Sequence, residues 1–129
     1  MATINSFEDL EVWKLAREIC GEVSKLTQKE RFCRDFALVD QIKRSSGSAM
    51  DNIAEGYERD GNKEFKNFLT VSKGSIGETR SQLYRALDFN YIENAEFEAL
   101  YQKCLTLSRQ LQKFSDYLRN SPIKGRKFL

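Results

Sequence analysis

The chain has 129 residues, of which 40% are hydrophobic and 31% charged, and its formal net charge is +2. This length suits one hydrophobic core, and the composition is that of a globular protein. The sequence contains no His, which excludes Ser-His and Cys-His nucleophile pairs, helical di-iron sites of the Glu-x-x-His type and zinc sites that need imidazole.

The sequence also gives expectations about compartment and cofactors. No apolar run approaches the roughly 18 residues needed to cross a bilayer, and the N-terminus has no basic region followed by an apolar one. Cys20, Cys33 and Cys104 are odd in number and far apart, which argues against a disulfide framework and a zinc site. We therefore expect a cytoplasmic protein with no membrane contact, no metal and no cofactor.

The first predicted helix runs from about Phe7 to Leu26. Ser6 and Asp9 have the spacing of a capping box just before it. Its apolar stripe covers close to half the circumference of the helix, more than one neighbouring helix requires. Part of this surface could therefore be buried between subunits. The stripe consists of Leu10, Val12, Trp13, Leu15, Ala16, Ile19, Cys20, Val23 and Leu26.

The second predicted helix follows Asp35, whose carboxylate suits a helix N-terminus, and ends near Gly56 and Tyr57. One of its faces is an ordinary apolar stripe. A second face is small and polar, and it is either exposed surface or the place where another backbone approaches. A mid-helix Gly47 costs roughly 1 kcal/mol against Ala, which favours close approach. The candidate oligomer-interface residues on this face are Gln41, Arg44, Ser45, Ser48, Asn52 and Glu55.

The third predicted helix begins after Gly61, which is available for a positive φ, with Asn62 as its expected N-cap, and runs to about Asp88. Gly74 and Gly77 interrupt it. Together with Ser75 they form a small surface, which predicts a crossing with the Ser-Gly-Ser segment at 46–48. On the flank opposite the basic residues of this helix, Glu78 and Gln82 are predicted to reach Arg44 or Lys43 across the helix pair.

The fourth predicted helix extends from an Asn94 cap to about Arg119, and Pro122 ends it. Four amphipathic helices with short connections predict an all-α, up-down-up-down antiparallel four-helix bundle. We expect residues 1–120 to form this single domain and residues 121–129 to form a basic C-terminal tail.

Basic residues recur at regular spacing on the third helix, and no carboxylate interrupts them. Such a stripe, with an aromatic residue beside it, could contact a phosphate backbone or an unstacked base, but a charge stripe on a bundle is more often a solvated face. The basic tail could add affinity for a polyanion or could simply be a frayed terminus. The candidate nucleic-acid residues are Lys63, Lys66, Lys73, Arg80, Tyr84, Lys124, Arg126 and Lys127.

Several short motifs together indicate a family. They are Phe7 to Leu10 with Val12-Trp13-Lys14, Gln41-Ile42-Lys43-Arg44, Asn52-Ile53-Ala54-Glu55-Gly56, Glu64-Phe65 with Phe68-Leu69, and Gly74-Ser75 followed by Glu78. In these motifs the chain resembles the bacterial four-helix-bundle proteins encoded in intervening sequences of 23S ribosomal RNA genes, over roughly residues 7–118. It differs at Ala49-Met50-Asp51, where the family usually has Ser-Ile-Pro or similar.

This resemblance implies a ring-like homopentamer with no established enzymatic activity. A related branch, the accessory variability proteins of diversity-generating retroelements, forms such barrels and binds nucleic acid and a reverse transcriptase. The retroelement branch is typically more basic than this chain. Two non-enzymatic function classes therefore stay open: an oligomeric RNA- or DNA-binding accessory protein, and a structural or protein-protein interaction module with no nucleic-acid role.

Overall fold

The computed structural model describes residues 3–59 and 61–121 and contains four long helices. These are α1 (Glu11–Leu26), α2 (Phe36–Glu58), α3 (Asn62–Asp88) and α4 (Asn94–Asn120). Two 3-10 turns precede the first two helices, at Phe7–Asp9 and Phe32–Arg34. No strand occurs within the described ranges. The predicted all-α four-helix bundle is confirmed. Residues 122–129, which hold most of the predicted basic tail, lie outside the described residues.

The four helices are arranged in chain order around one core. The contacts between α2 and α3 and between α3 and α4 are the most extensive, and α1 completes the bundle by packing on α2 and α4. Short connections at 59–61 and 89–93 join α2 to α3 and α3 to α4, and connections of this length favour antiparallel neighbours. The largest fully buried side chains come from every helix and from the turn before α2: Ile19, Phe32, Leu38, Ile42, Ile53, Phe65, Leu69, Ile76, Leu83, Leu100, Leu107 and Leu111.

The helix termini follow the sequence signals with small shifts. Asp35 caps α2 as predicted, because its carboxylate accepts the Leu38 backbone N–H at 3.0 Å. The cap of α3 is Gly61, at φ 106°, so Asn62 is the first helical residue and not the cap. Likewise Glu93 caps α4 and Asn94 begins it. For α3 and α4, then, the cap lies one residue earlier than expected, within the usual uncertainty of helix boundaries.

The first helix starts later than predicted. Phe7–Asp9 form a 3-10 turn, and Leu10, with extended backbone, separates this turn from α1. The Asp9 carboxylate accepts the backbone N–H of Asn5 at 2.9 Å and of Ser6 at 3.3 Å, so the predicted pairing of Ser6 with Asp9 is present but caps the turn. The 3-10 turn places the Phe7 ring against Trp13, with ring centroids 5.1 Å apart.

Gly56 lies inside α2, although the sequence suggested that it helps to end the helix. The helix continues to Glu58. A Cβ atom at position 56 would lie 2.6 Å from Cβ of Phe68 and 2.9 Å from Cδ1 of Phe65. The absence of a side chain therefore allows α3 to pass close to α2 at this point. Around Gly47, Gly74 and Gly77, in contrast, an added Cβ would meet nothing within 4 Å.

Candidate nucleic-acid interface

A groove of about 440 Å³ runs between α3 and α4, and the central part of the predicted basic stripe lies in it. Lys66, Lys73 and Arg80 line its α3 side, and Arg119 reaches it from α4. The three α3 residues are seven positions apart, so they return to the same helix face after about two turns each. No Asp or Glu lines the groove. Its walls therefore carry four cationic side chains and no carboxylate.

The floor of the groove is apolar and open. Leu69 and Leu111 are buried beneath it, while Gly74 and Gly77 leave space above the α3 backbone. The α4 wall is formed by uncharged polar side chains. These are Ser108, Gln112 and Ser115. An anionic ligand could therefore meet basic groups from α3 and hydrogen-bonding groups from α4.

The cations of the groove differ in how they are held. Arg119 is paired with Asp116 at 2.7 Å. Lys66 and Lys73 form no ion pair with any residue in the described part of the chain. The Arg80 guanidinium lies 5.5 Å from the ring centre of Tyr101, and its Nε is buried without a hydrogen-bond partner among the described residues. Much of the positive charge in the groove is thus uncompensated.

An aromatic cluster lies one turn beyond Arg80. The Tyr84 ring is 4.9 Å from the Phe97 ring and 5.6 Å from the Tyr101 ring, measured between centroids. A hydrogen bond with Tyr101 raises the pKa of Tyr84, and the same bond, together with Arg80, lowers the pKa of Tyr101. Tyr84 nevertheless remains 47% exposed. The sequence prediction that an aromatic residue accompanies the basic stripe therefore agrees with its placement.

The other predicted nucleic-acid residues are not in the groove. Lys63 is exposed in the first turn of α3 and does not line it. Lys124, Arg126 and Lys127 lie outside the described residues. The sequence reasoning did not select Arg119 or the polar wall of α4 as site residues. The sequence does contain the pattern of this wall, because Ser108, Gln112, Ser115 and Arg119 recur at helical spacing. The pattern indicates a site only when it is known that this face of α4 adjoins α3.

The predicted interface residues of α2 mark a second surface, a recess of about 490 Å³ between α2 and α3. Gln41, Arg44, Ser45 and Ser48 line it together with Glu78 and Gln82 of α3. Asn52 lies one turn further along α2, and its side-chain amide donates to the backbone oxygen of Ser48 at 2.8 Å. Glu55 is exposed and is paired with Arg59 at 2.9 Å.

Part of this polar face forms contacts between α2 and α3 of the same chain. Ser45 is buried, and its Oγ lies 2.8 Å from Thr79 Oγ1 and 2.6 Å from Gln82 Oε1. Ser48 Oγ lies 2.9 Å from Ser75 Oγ, which confirms the predicted meeting of Ser75 with the Ser-Gly-Ser segment. The polar face therefore joins α2 to α3 through hydroxyl contacts.

The predicted ion pair across this recess is wrong. Arg44 is paired with Asp40 of its own helix at 2.9 Å, because an (i, i+4) carboxylate is closer than Glu78 of α3. Gln41 instead bridges the helices by accepting a hydrogen bond from Arg85 at 2.8 Å. In the described ranges, Glu78 has no ion-pair partner. The recess thus exposes an unpaired carboxylate beside the outer edge of α2.

The comparisons with known proteins decide the family. The model of the 23S rRNA-intervening sequence protein matches residues 8–113. The chain belongs to this family. As a member of the 23S rRNA-intervening sequence proteins, it is also similar to a solved structure from Bacteroides thetaiotaomicron, described as a protein with unknown function from the S23 ribosomal protein family. The identity is 21% over 81% of this chain and 97% of the other, with a TM-score of 0.75, which shows a shared fold.

Three further comparisons of the sequence and the structure gave negative results. No curated protein matches its sequence. In the described residues, no group of three or more His, Cys, Asp or Glu side chains could hold a metal ion. None of the helices of residues 3–59 and 61–121 is both long and apolar enough to cross a membrane.

Proposed function

We propose that this member of the 23S rRNA-intervening sequence family is a non-enzymatic accessory protein that binds nucleic acid as a homo-oligomer. The observation that carries the proposal is the α3–α4 groove, with Lys66, Lys73, Arg80 and Arg119 on its walls and no carboxylate among its lining residues. Cationic side chains arranged in this way bind phosphate backbones and release condensed counterions.

Salt dependence tests this function directly. Fluorescence anisotropy of labelled RNA and DNA should show affinity that falls steeply as salt is raised. Reversing the charge of Lys66, Lys73 and Arg80 together should weaken binding and reduce the slope of log K against log salt by about 2 to 3, at about 0.7 per phosphate contact for single strands and 0.9 for duplex.

The matched control reverses three exposed lysines on α1 and α2: Lys14, Lys25 and Lys43. It changes the net charge equally but leaves the groove intact, so its salt slope should stay near that of the wild type. Circular dichroism of both triple variants checks that they fold. Absence of wild-type binding at low salt would reject the nucleic-acid function and favour an interaction module, and equal losses in both triple variants would reject the groove as its site.

The oligomeric part of the proposal rests on two surfaces that the isolated chain leaves incompletely covered. Trp13, Leu15 and Leu26 flank the buried stripe of α1 and are only partly buried. The α2–α3 recess holds the unpaired Glu78 close to the exposed Arg44. We propose that second copies of the chain cover these surfaces, and that the assembly is a ring-like pentamer, a number that comes only from the family resemblance. A ring repeats the groove and so raises avidity.

Light scattering tests the assembly. A mass of 15.0 kDa at micromolar concentration, that of one chain, would reject it. Ser48→Arg should dissociate the oligomer, because it places a desolvated charge in the α2–α3 recess. Circular dichroism must show that this variant keeps the wild-type helix content, because it also loses the contact with Ser75 inside the chain. Thr106→Arg, which adds the same side chain at an exposed position on α4, should keep the wild-type mass. Wild-type mass for Ser48→Arg would show that the interface lies elsewhere.

A further inference from the structure

The α3–α4 groove has a shape that distinguishes between classes of nucleic acid. Packed helices lie about 8–10 Å apart, so a groove between them is narrow. Lys66, Lys73 and Arg80 are each only partly exposed, which keeps much of every side chain within the groove. A single backbone strand can enter such a groove and reach these cations. A rigid duplex cannot separate its strands to follow such a groove, and its paired bases are stacked inside, so it would meet only the rims.

The space above α3 supports the entry of one strand. Gly74 and Gly77 are mid-helix glycines, and each lowers helix stability by roughly 1 kcal/mol against Ala. Apart from its chain neighbours and the backbone of its own helix, nothing in the described chain lies within 4 Å of the Cβ that either residue lacks. Close packing inside the chain therefore does not explain these two glycines. Their effect is to deepen the groove between successive cations.

Tyr84 offers a different kind of contact at the Arg80 end of the row of cations formed by Lys66, Lys73 and Arg80. It lies one helical turn beyond Arg80, and Phe97 and Tyr101 hold its ring at interplanar angles of 56° and 75°. Phe97 and Tyr101 stack on each other at 24°, but among the described residues no ring stacks parallel to Tyr84. A half-exposed ring in a restrained position can stack a base with little additional loss of side-chain entropy.

The charged groups also differ between the Tyr84 end and the Lys66 end of the groove. Glu98 lies close enough to Tyr84 to influence its ionisation. A phosphate is repelled by this carboxylate, whereas an uncharged base is not. The cationic row from Arg80 to Lys66 is therefore suited to the backbone, and the ring of Tyr84 is suited to a base.

We infer that the groove takes single-stranded nucleic acid, with the backbone along Arg80, Lys73 and Lys66 and one base stacked on Tyr84. This inference rests on the proposed nucleic-acid function and deepens it. A combination of a cationic groove and an aromatic platform binds single strands with little sequence preference, because every base has a π-face.

The test compares three labelled probes of equal length: an oligothymidylate, a duplex hairpin and an abasic strand that keeps the phosphates but has no bases. The wild type should bind the oligothymidylate more tightly than either of the others. Tyr84→Leu should weaken oligothymidylate binding by about 5- to 150-fold, the range expected for one stacked base. The same variant should leave abasic binding and the salt slope unchanged, and Tyr84→Trp should retain the affinity.

The matched control is Tyr117→Leu, since Tyr117 on α4 is 48% exposed, close to the 47% of Tyr84, and its ring lies beside Phe114, away from the Arg80 end of the groove. It should bind all three probes like the wild type. Salt-dependent binding that is lost in the Lys66, Lys73 and Arg80 triple variant but is unaffected by Tyr84→Leu would overturn the single-strand inference and leave the proposed function standing. Equal losses in Tyr84→Leu and Tyr117→Leu would also overturn it. No binding to any probe would reject both.

Discussion

Gly56 provides the sharpest test of how α2 and α3 pack. Ala at this position would place its Cβ 2.6 Å from Cβ of Phe68 and 2.9 Å from Cδ1 of Phe65. The Cβ of Phe68 is attached directly to the α3 backbone, so no rotamer change can relieve the first contact. The two helices, which form the most extensively packed pair of the bundle, would have to move apart at this point. We therefore expect Gly56→Ala to destabilise the protein.

Two opposing effects set the size of this change. Replacing a mid-helix Gly by Ala contributes up to about 1 kcal/mol of helix stability. Overpacking a core typically costs about 1–3 kcal/mol, and here both neighbouring rings belong to helix α3. The 2.6 Å contact with a Cβ fixed to the α3 backbone places the cost in the upper part of this range, at about 2–3 kcal/mol. Less the gain in helix stability of about 1 kcal/mol, the net loss in the free energy of unfolding should be about 1–2 kcal/mol. Gly21→Ala is the control, because Gly21 is exposed on α1 and an added Cβ meets nothing within 4 Å. That variant should gain up to about 1 kcal/mol.

Urea unfolding followed by circular dichroism measures both variants. Protein concentration must be the same throughout, because an oligomer is stabilised by mass action. The two variants should shift the midpoint in opposite directions with similar m-values, since neither changes the surface exposed on unfolding appreciably. A Gly56→Ala variant as stable as the wild type, or more stable, would refute the close helix approach.

Two further predictions concern charged groups, one set between α1 and α4 and the other at the N-terminus of α4. Lys103 of α4 pairs with Glu18 and Glu22 of α1, and these carboxylates raise the pKa of Lys103. The stabilisation of the fold by these ion pairs is present below the ordinary pKa of lysine and is lost as pH rises through the raised pKa. Lys103→Met should lower the free energy of unfolding by about 0.5–1 kcal/mol at neutral pH and by a smaller amount in 1 M salt. An effect that does not depend on salt would contradict this account. The backbone N–H of Glu93 and, more weakly, the Lys29 ammonium lower the pKa of Glu96, so its contribution is present above pH 4.5 and is lost as pH falls. Thermal melts of wild type and Glu96→Gln should therefore differ at neutral pH and converge in acid, and a constant difference would rule out the carboxylate as the cause.

The sequence alone determined the helices. Apolar residues at a 3.6-residue period and polar breaks with capping residues are local features, and they placed all four helices to within a few residues of their observed ends. Asp35, for example, was expected at the N-terminus of α2 and caps it in the structure. The stripe of Lys66, Lys73 and Arg80 was also visible, because seven residues return to the same helix face.

Only the tertiary structure decided what each face meets. Gly56 suggested a helix end but lies where α3 passes close to α2, while Gly47 and Gly74, which suggested close approach, face open space. Arg44 pairs within its own helix, and the basic stripe becomes a groove only because α4 supplies the other wall. The physical reason is that helix periodicity fixes which residues share a face, whereas the rotation of each helix about its axis is fixed by how the whole core packs.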